Sequence, residues 1–344
     1  MMGAAMNDSR PRIAVLPGDP SGVGPEMTAR LLARAGNREA ADVLLIADPV
    51  VLASGQRIAG EKLDVLQVSR LEDVRFMPGR ITWLACDLMQ GRAPVLGESN
   101  AQSGAASLQA LELATEAVGH GLADAIVFAP LNKHSLRLGG LTHEDELRFL
   151  QHRFGVRSFV CEFNITGSLW TSRVTSHVPL KDVAALITRD GVGDAVRIID
   201  SALRHAGIAR PRIAVSGLNP HGGDGGSIGM EEIEIIAPAV AQLKAQGIDA
   251  QGPFSPDTVF IGARRGDYDA VVSMYHDQGQ IAMKLMGFEQ GVTLHGGLPI
   301  PVATCASGSA FDIAGRGIAK VEGLQHAFDL CVRMATRQQA VAVS

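Results

Sequence analysis

The chain has 344 residues, of which 46% are hydrophobic, 19% are charged and 4% are aromatic, and its net charge is −5. This composition is typical of a globular α/β protein, and the length favours two α/β domains or one large one. The absence of a basic cluster argues against nucleic acid as a partner. The longest apolar runs, at 43–47 and 125–130, are far shorter than the roughly 20 residues that cross a bilayer, so no membrane role is predicted.

The first residues and the cysteines indicate the compartment. Residues 1–10 contain no charged segment followed by an apolar one, so nothing marks the chain for export and a cytoplasmic location is predicted. The four cysteines are widely spaced and form no C-x-x-C pair, which argues against disulfides and against a thiolate metal site. They are Cys86, Cys161, Cys305 and Cys331.

The first part of the chain alternates between apolar strands and amphipathic helices. Pro25 suits the first turn of a helix because the N–H that it lacks would be unpaired there. A second helix is predicted to be capped by Ser103 and to end at Gly119. Strands are predicted at residues 12–16, 42–46, 81–86 and 125–129. The alternation predicts an α/β architecture with largely parallel strands.

The pattern changes at about residue 131. Two strands, 159–165 and 169–175, are separated only by Thr-Gly-Ser at 166–168, which indicates a hairpin and therefore an antiparallel pair. Further elements follow: helix 189–206, strand 212–217, helix 231–246, strand 270–275, a short helix to about 287, and strand 291–298. We therefore predict a second α/β domain, residues 131–309, inserted into a first domain formed by residues 1–130 and 310–344.

Three histidines occupy a shared setting. His177, His221 and His276 each follow an apolar, strand-like run and lie next to Pro, Gly or Asp. Three strand ends could bring three imidazoles together, which is the ligand count of an open catalytic metal site. The alternative is that each is a surface residue, because their spacing matches no local ligand signature. The repeated setting favours the metal site.

Two glycine-rich loops are candidates for binding ligands. The segment 18–26, GDPSGVGPE, is neither a dinucleotide fingerprint nor a P-loop, and both a simple tight turn and an anion-binding helix start remain open. The segment 219–232 is the most glycine-dense of the chain. A mobile surface loop is one interpretation, but glycines also permit close approach to a ligand, and His221 favours a site.

The segment 275–284, YHDQGQIAMK, concentrates polar groups on a predicted helix start. Asp277 could accept a proton or orient a neighbour, and Lys284 could bind an anionic substrate. A solvated helix charge is the alternative interpretation of Lys284.

At these segments the chain resembles the 4-hydroxythreonine-4-phosphate dehydrogenase family of pyridoxal phosphate biosynthesis, over nearly its whole length. The matching segments are 18–26 (GDPSGVGPE), 130–133 (PLNK), 177–180 (HVPL), 218–221 (LNPH), 252–258 (GPFSPDT), 275–279 (YHDQG) and 310–315 (AFDIAG). The resemblance implies a two-domain fold like that of isocitrate and isopropylmalate dehydrogenases, with a cleft between the domains. It also implies a homodimer and one divalent ion per subunit, Zn, Mg, Mn or Co, on His177, His221 and His276.

The segment 307–315, SGSAFDIAG, is similar to the adenosine-binding loop of isopropylmalate dehydrogenase. This similarity makes Gly308, Ser309 and Asp312 candidates for binding NAD, with NADP as the other possibility. Ser307 stands where that loop usually has His.

The family's substrate-binding positions are changed in this chain. Counting without gaps places the family's His-Thr pair at Glu146 and Leu147, its Asn at Thr293 and its Arg at Val302. These changes predict that 4-hydroxythreonine 4-phosphate is a poor substrate.

Other substrate-contacting groups are retained or replaced. Lys284 is unchanged and is expected to bind the substrate anion, and His295 could supply a replacement cation. Asp257 and Asp277 are expected to handle protons or to support neighbouring groups.

The resemblance implies a metal-dependent, NAD-dependent oxidation of a CH–OH group in a small anionic hydroxy acid, followed by decarboxylation. One alternative is a dihydrodiol carboxylate dehydrogenase of the terephthalate type. Another, from a different class of protein, is a non-catalytic binding paralogue.

Overall fold

The structure is a computed structural model that describes residues 10–287 and 290–343. Its strands are β1 (Arg12–Leu16), β2 (Asp42–Ala47), β3 (Val65–Val68), β4 (Ile81–Ala85), β5 (Ala125–Phe128), β6 (Cys161–Thr166), β7 (Leu169–Arg173), β8 (Ile213–Ser216), β9 (Ala250–Phe254), β10 (Ala270–Ser273), β11 (Val292–Gly296) and β12 (Val302–Cys305). Its helices are α1 (Gly24–Ala33), α2 (Ala35–Ala40), α3 (Pro49–Ala59), α4 (Ala101–Gly119), α5 (Lys133–Leu138), α6 (Glu146–Arg153), α7 (Leu180–Leu186), α8 (Arg189–His205), α9 (Ala237–Ala245), α10 (Val259–Arg265), α11 (His276–Gly287) and α12 (Glu322–Val343). Within the described ranges, every helix is too short or too polar to span a bilayer.

The first compact unit comprises Met1–Gly155 and Ile300–Ser344. Its strands are all parallel, in the order β3-β4-β2-β1-β5-β12. The central strands β1, β2 and β5 are apolar along almost their whole length and are buried. Continuous apolar runs of this kind are expected where a parallel strand is covered on both faces.

The unit boundaries differ from those predicted from the sequence, because residues 131–155 and 300–309 group with the first unit. Helix α5 packs closely on α4, where a Cβ atom on Gly104 would lie 1.7 Å from the carbonyl oxygen of Ser135. Strand β12 pairs in parallel with β5, with Val302 opposite Ile126. The boundaries at 131 and 309 were predicted from a change in the order of strands and helices along the sequence. The division into compact units depends instead on contacts between residues far apart in the sequence, such as these.

The second compact unit is Val156–Pro299. Its strands lie in the order β11-β6-β7-β10-β8-β9. The pairs β11-β6 and β6-β7 are antiparallel, and the remaining pairs are parallel. The predicted hairpin is confirmed, with Asn164 opposite Thr171 and Gly167 in the turn at a φ of 59°.

Two helix starts differ from the prediction. Helix α4 is capped by Asn100, whose side chain accepts the backbone N–H of Ser103 at 2.8 Å. The predicted cap at Ser103 is wrong because that side chain is buried and bonded to the hydroxyl of Ser21 at 2.7 Å. The predicted helix 231–246 opens instead with one π-helical turn, Glu232–Ile236, before α9. Such turns occur often at functional sites.

None of the four cysteines, all in the described ranges, forms a disulfide, as their spacing predicted. Burial raises the pKa of Cys86 to about 11 and also raises the pKa of Cys305 and of Cys331. Since the thiolate is the form that reacts and binds metal, the raised pKa values disfavour a reactive or metal-binding role for these thiols at neutral pH.

Candidate active site

Three neighbouring parallel strands of the second unit end at the same edge of its sheet. Strand β10 pairs with β7 on one side, with Ser273 opposite Arg173, and with β8 on the other. His177, His276 and His221 follow the ends of β7, β10 and β8 respectively. The carboxyl ends of parallel strands are where α/β proteins commonly bind ligands.

His177 and His276 lie side by side at this edge. Their ring centres are 5.9 Å apart. Two imidazoles whose nitrogens bind one ion at about 2.1 Å have ring centres within roughly 6.5 Å of each other, so the observed spacing fits a shared ion. The Nδ1 atom of His276 lies 2.7 Å from Oδ1 of Asp277, and a carboxylate partner of this kind commonly orients a metal-binding imidazole.

His221 lies in the glycine-rich turn Pro220–Gly226, within electrostatic range of Asp257. The Ser255 hydroxyl donates to Oδ1 of Asp257 at 2.6 Å. This bond is the largest cause of the lowered pKa of Asp257, and the charge of His221 contributes to the same effect. The candidate ligand nitrogens of the three histidines do not all lie within 4.8 Å of one another. The structure thus pairs His177 with His276 and places His221 on the adjoining strand end.

The backbone is strained at these histidines. The five described non-glycine residues with clearly positive φ are Gln90, His177, His221, Asp224 and Ala310. Their φ values include 47° at His177 and 55° at His221, in the left-handed region that side chains with a Cβ rarely adopt. Four of the five, all except Gln90, lie in segments that the sequence predicted to be part of a site. Strained non-glycine residues tend to cluster at functional sites, where the surrounding structure holds them in place.

Arg173 supports the His177 segment and was not predicted from the sequence as a site residue. Its side chain is 4% exposed and forms an ion pair with Glu162 at 2.8 Å. It also donates to the hydroxyl of Ser176, the residue before His177, at 2.7 Å. The available signal was a charged residue inside the predicted strand 169–175, where burial demands a partner.

The predicted substrate residues of the second unit lie on β11 and α11. Thr293 and His295 are two residues apart on β11, opposite Asn164 and Glu162 of β6. Thr293 is half-buried and His295 is buried. Lys284 is exposed on α11, the helix that His276 begins.

The predicted substrate residues of the first unit are buried. Leu147 is 4% exposed, Val302 is 0% exposed and Glu146 is 9% exposed. Leu147 and Val302 belong to the apolar core, so neither side chain offers surface to a substrate. The ungapped count that placed them at substrate positions does not agree with this burial, and their role in binding substrate stays a prediction.

The predicted cofactor loop lies against the first glycine-rich loop within the first unit. The backbone N–H of Val23 donates to the carbonyl oxygen of Ser309 at 3.0 Å. A Cβ atom on Gly22 would lie 2.7 Å from that same oxygen, so glycine is needed for the approach. Ser309 is buried, whereas Gly308 and Asp312 are exposed. The two candidate ligand loops therefore pack against each other; residues 19–26 of the first loop are buried, and the exposed residues lie on the second loop.

Burial also affects the acid in the first glycine-rich loop. Asp19 is 0% exposed, and burial raises the pKa of its carboxyl group. Hydrogen bonds with Ser135 and Ser21 offset part of this rise. One carboxylate oxygen accepts the backbone N–H of Ser21 at 2.8 Å and so closes the turn.

Solved structures show the fold. A 4-hydroxythreonine-4-phosphate dehydrogenase from Klebsiella pneumoniae is 35% identical with a TM-score of 0.80, covering 96% of this chain and 99% of that one. A terephthalate 1,2-cis-dihydrodiol dehydrogenase from Burkholderia xenovorans is 28% identical with a TM-score of 0.68, and the match covers 94% of this chain and 97% of that one. A β-decarboxylating dehydrogenase from Thermococcus kodakarensis, 17% identical, covers 96% and 88% with a TM-score of 0.52. The predicted α/β fold of the decarboxylating dehydrogenases is confirmed.

Relatives and a family model show the family. A Pseudomonas aeruginosa protein named "Putative 4-hydroxythreonine-4-phosphate dehydrogenase 2" is 51% identical over 95% of this chain and 97% of its own. The D-threonate 4-phosphate dehydrogenase of Salmonella typhimurium is 35% identical over 94% of this chain and 98% of its own length. The model of the pyridoxal phosphate biosynthetic protein PdxA matches residues 39–331. The chain therefore belongs to the PdxA family.

Proposed function

We propose that this protein is an oxidoreductase that uses NAD(P) and one divalent metal ion to oxidise a CH–OH group of a small hydroxy acid phosphate, with decarboxylation of the product. The observation that carries the proposal is the pair His177 and His276, whose ring centres are 5.9 Å apart at adjoining strand ends. The names of the relatives, all dehydrogenases, support the reaction class.

His177, His276 and His221 would hold the ion, since imidazole nitrogen is a common ligand of Zn and of other divalent transition metals. A bound ion of this kind supplies Lewis-acid chemistry, polarising an oxygen of the substrate. Asp277, 2.7 Å from Nδ1 of His276, would keep that ring oriented and leave its Nε2 for the ligand bond.

Two charged residues complete the proposed roles. Lys284 would bind the substrate anion as a point charge. Asp257 has a lowered pKa, mainly because Ser255 donates to it, and a lower pKa makes a weaker proton acceptor. We therefore assign Asp257 to electrostatic support of the proposed cation site and not to proton abstraction.

The cofactor is proposed to bind at the exposed residues of the segment 307–315, which packs against the buried segment 18–26. Asp312 is an exposed carboxylate in the first of these segments. A carboxylate can accept hydrogen bonds from ribose hydroxyls, and its charge opposes the extra phosphate of NADP. NAD is therefore the favoured cofactor.

The substrate is proposed to be a phosphorylated four-carbon hydroxy acid, because relatives covering nearly the whole chain carry such names. The expectation that 4-hydroxythreonine 4-phosphate is a poor substrate was based in part on Val302 at the position of the family's Arg. Because Val302 is buried, this residue does not support that expectation. That expectation stays a prediction. The dihydrodiol carboxylate is the second candidate, supported by the TM-score of 0.68 to the terephthalate dihydrodiol dehydrogenase.

A substrate panel tests the function. NADH formation is measured with D-threonate 4-phosphate, 4-hydroxythreonine 4-phosphate and the terephthalate dihydrodiol, after metal analysis of the protein. We expect kcat/KM of about 10⁴ M⁻¹s⁻¹ or more for one phosphate ester, abolished by a chelator and restored by zinc or manganese. Turnover of the dihydrodiol alone would favour the second candidate. No metal and no NADH with any compound would support the binding paralogue.

We also propose a homodimer, on the basis of the family. Leu180 and Leu285 in the second unit are 70% and 84% exposed, and exposed large apolar side chains are common in subunit interfaces. A molar mass by light scattering equal to that of one chain would contradict this assembly.

Replacing Gly22 with Ala should raise the KM for NAD about tenfold. The added methyl group would meet the Ser309 carbonyl at 2.7 Å, which forces the cofactor loop away from its partner, and tenfold corresponds to about 1.4 kcal/mol of binding. Steady-state kinetics with varied NAD measures the effect. Gly36→Ala is the control, because nothing lies within 4 Å of its added Cβ. An unchanged KM in Gly22→Ala would place the cofactor elsewhere.

A further inference from the structure

The loop that carries His221 is anchored on one buried carboxylate. Glu232, in the π-helical turn, is 2% exposed. Its Oε1 accepts the backbone N–H groups of Leu218 and Asn219, each at 2.7 Å. Its Oε2 accepts the side-chain amide of Asn219 at 2.9 Å. A carboxylate with three donors makes strong, charge-assisted hydrogen bonds, so the backbone two residues before His221 is firmly held.

Two glycines let the chain close around this carboxylate. A Cβ atom on Gly217 would lie 2.9 Å from Oε1 of Glu232, and one on Gly223 would lie 2.7 Å from Oε2. Gly223 also has a φ of 81°, which favours glycine. The residues on both sides of His221 therefore meet at Glu232: the backbone before His221 is hydrogen-bonded to this carboxylate, and Gly223 after His221 packs against it.

A second side chain connects this loop to the segment of His276. Gln278 lies two residues after His276 in α11, and its Oε1 accepts the backbone N–H of Met274 at 2.8 Å. Its Nε2 donates to the carbonyl oxygen of Gly217 at 3.1 Å. Gln278 thus joins the ends of β10 and β8, the two strands that His276 and His221 follow.

We propose that Glu232 and Gln278 are positioning residues for the metal site, acting through His221. Glu232 holds the loop in which His221 stands, and Gln278 sets the separation between that loop and His276. This inference rests on the proposed function, because the ion is the proposed cofactor. Partners that orient metal ligands typically change metal affinity 10- to 100-fold when they are replaced.

The test measures zinc affinity by competition with a chromophoric chelator, and the visible absorption spectrum of bound cobalt. Glu232→Gln removes the charge and turns an amide donor toward Asn219, and Gln278→Met removes both hydrogen bonds at similar size. We expect each to weaken zinc binding about 10- to 100-fold and to change the cobalt spectrum. Glu234→Gln is the matched control, because Glu234 is exposed in the same π-helical turn and should leave both readouts unchanged.

A double variant separates positioning from general destabilisation. If Glu232 acts through His221, adding Glu232→Gln to His221→Ala should not weaken zinc binding further. An additive loss would instead show that Glu232 acts independently of His221, which overturns the proposal. If Glu232→Gln does not fold, Gln278→Met, paired with His221→Ala in the same way, decides the question.

Zinc binding by the unmodified protein separates a failure of the positioning roles from a failure of the proposed function. If the unmodified protein binds zinc and the Glu232→Gln and Gln278→Met variants bind it with the same affinity, the positioning roles are overturned but the proposed function is not. Failure of the unmodified protein to bind zinc or cobalt would overturn the proposed function and this inference with it.

Discussion

Replacing His276 with Ala is expected to lower both the metal content and the turnover of the enzyme. His276 and His177 are paired at 5.9 Å between ring centres, so removing the His276 ring leaves the proposed ion with only His177 and His221. Lewis-acid stabilisation by a metal contributes several kcal/mol, and losing about 3 to 4 kcal/mol reduces kcat/KM roughly 100- to 1000-fold. Metal analysis by mass spectrometry and NADH kinetics on the same preparation check both parts.

His205→Ala is the control for this change. His205 is exposed near the end of α8 in the same unit, and its nearest polar partner is Ser201 at 3.5 Å. Its removal should leave metal content and turnover unchanged. Full metal occupancy in His276→Ala would contradict the ligand assignment. Loss of metal with full turnover would instead show that the ion does not take part in the reaction.

The central strands could be predicted because their own residues specify them. Strands β1, β2 and β5 are apolar along almost their whole length, and the predicted bounds agree with the structure within one residue at each end. A helix start is less certain, since both Asn100 and Ser103 can cap a helix. Asn100 takes the role because Ser103 bonds to Ser21, a residue 82 positions away, and such a contact leaves no local trace in the sequence.

The candidate site could be predicted only in part. The strand-then-histidine pattern identified His177 and His276, which the structure pairs. Glu232 was not identified because a glutamate at the start of a helix normally indicates a solvated residue. Its role depends on burial beneath a loop, which is a property of tertiary structure.

The burial of two predicted substrate residues could not be read from the count along the sequence. Leu147 and Val302 were placed at substrate positions by counting from motifs, yet both side chains are in the core. Their apolar character agrees with a core position, whereas the count assumed that the chain has the family's spacing between motifs.

Replacing Gly104 with Ala is expected to lower the free energy of unfolding by about 3 kcal/mol, the upper end of the usual cost of overpacking. The added Cβ would lie 1.7 Å from the carbonyl oxygen of Ser135 and 2.3 Å from its carbonyl carbon. These are backbone atoms of α5, so no side chain can rotate away and one helix must move. Urea unfolding followed by circular dichroism measures the change.

Gly119→Ala provides the comparison within the same helix. Gly119 is the last residue of α4, and nothing lies within 4 Å of its added Cβ. Because alanine is the better helix former, by up to about 1 kcal/mol, this variant should be as stable as the unmodified protein or slightly more so. If Gly104→Ala proved equally stable, α4 and α5 would not pack this closely. The assignment of residues 133–138 to the first unit, which depends on that contact, would then lose its physical basis.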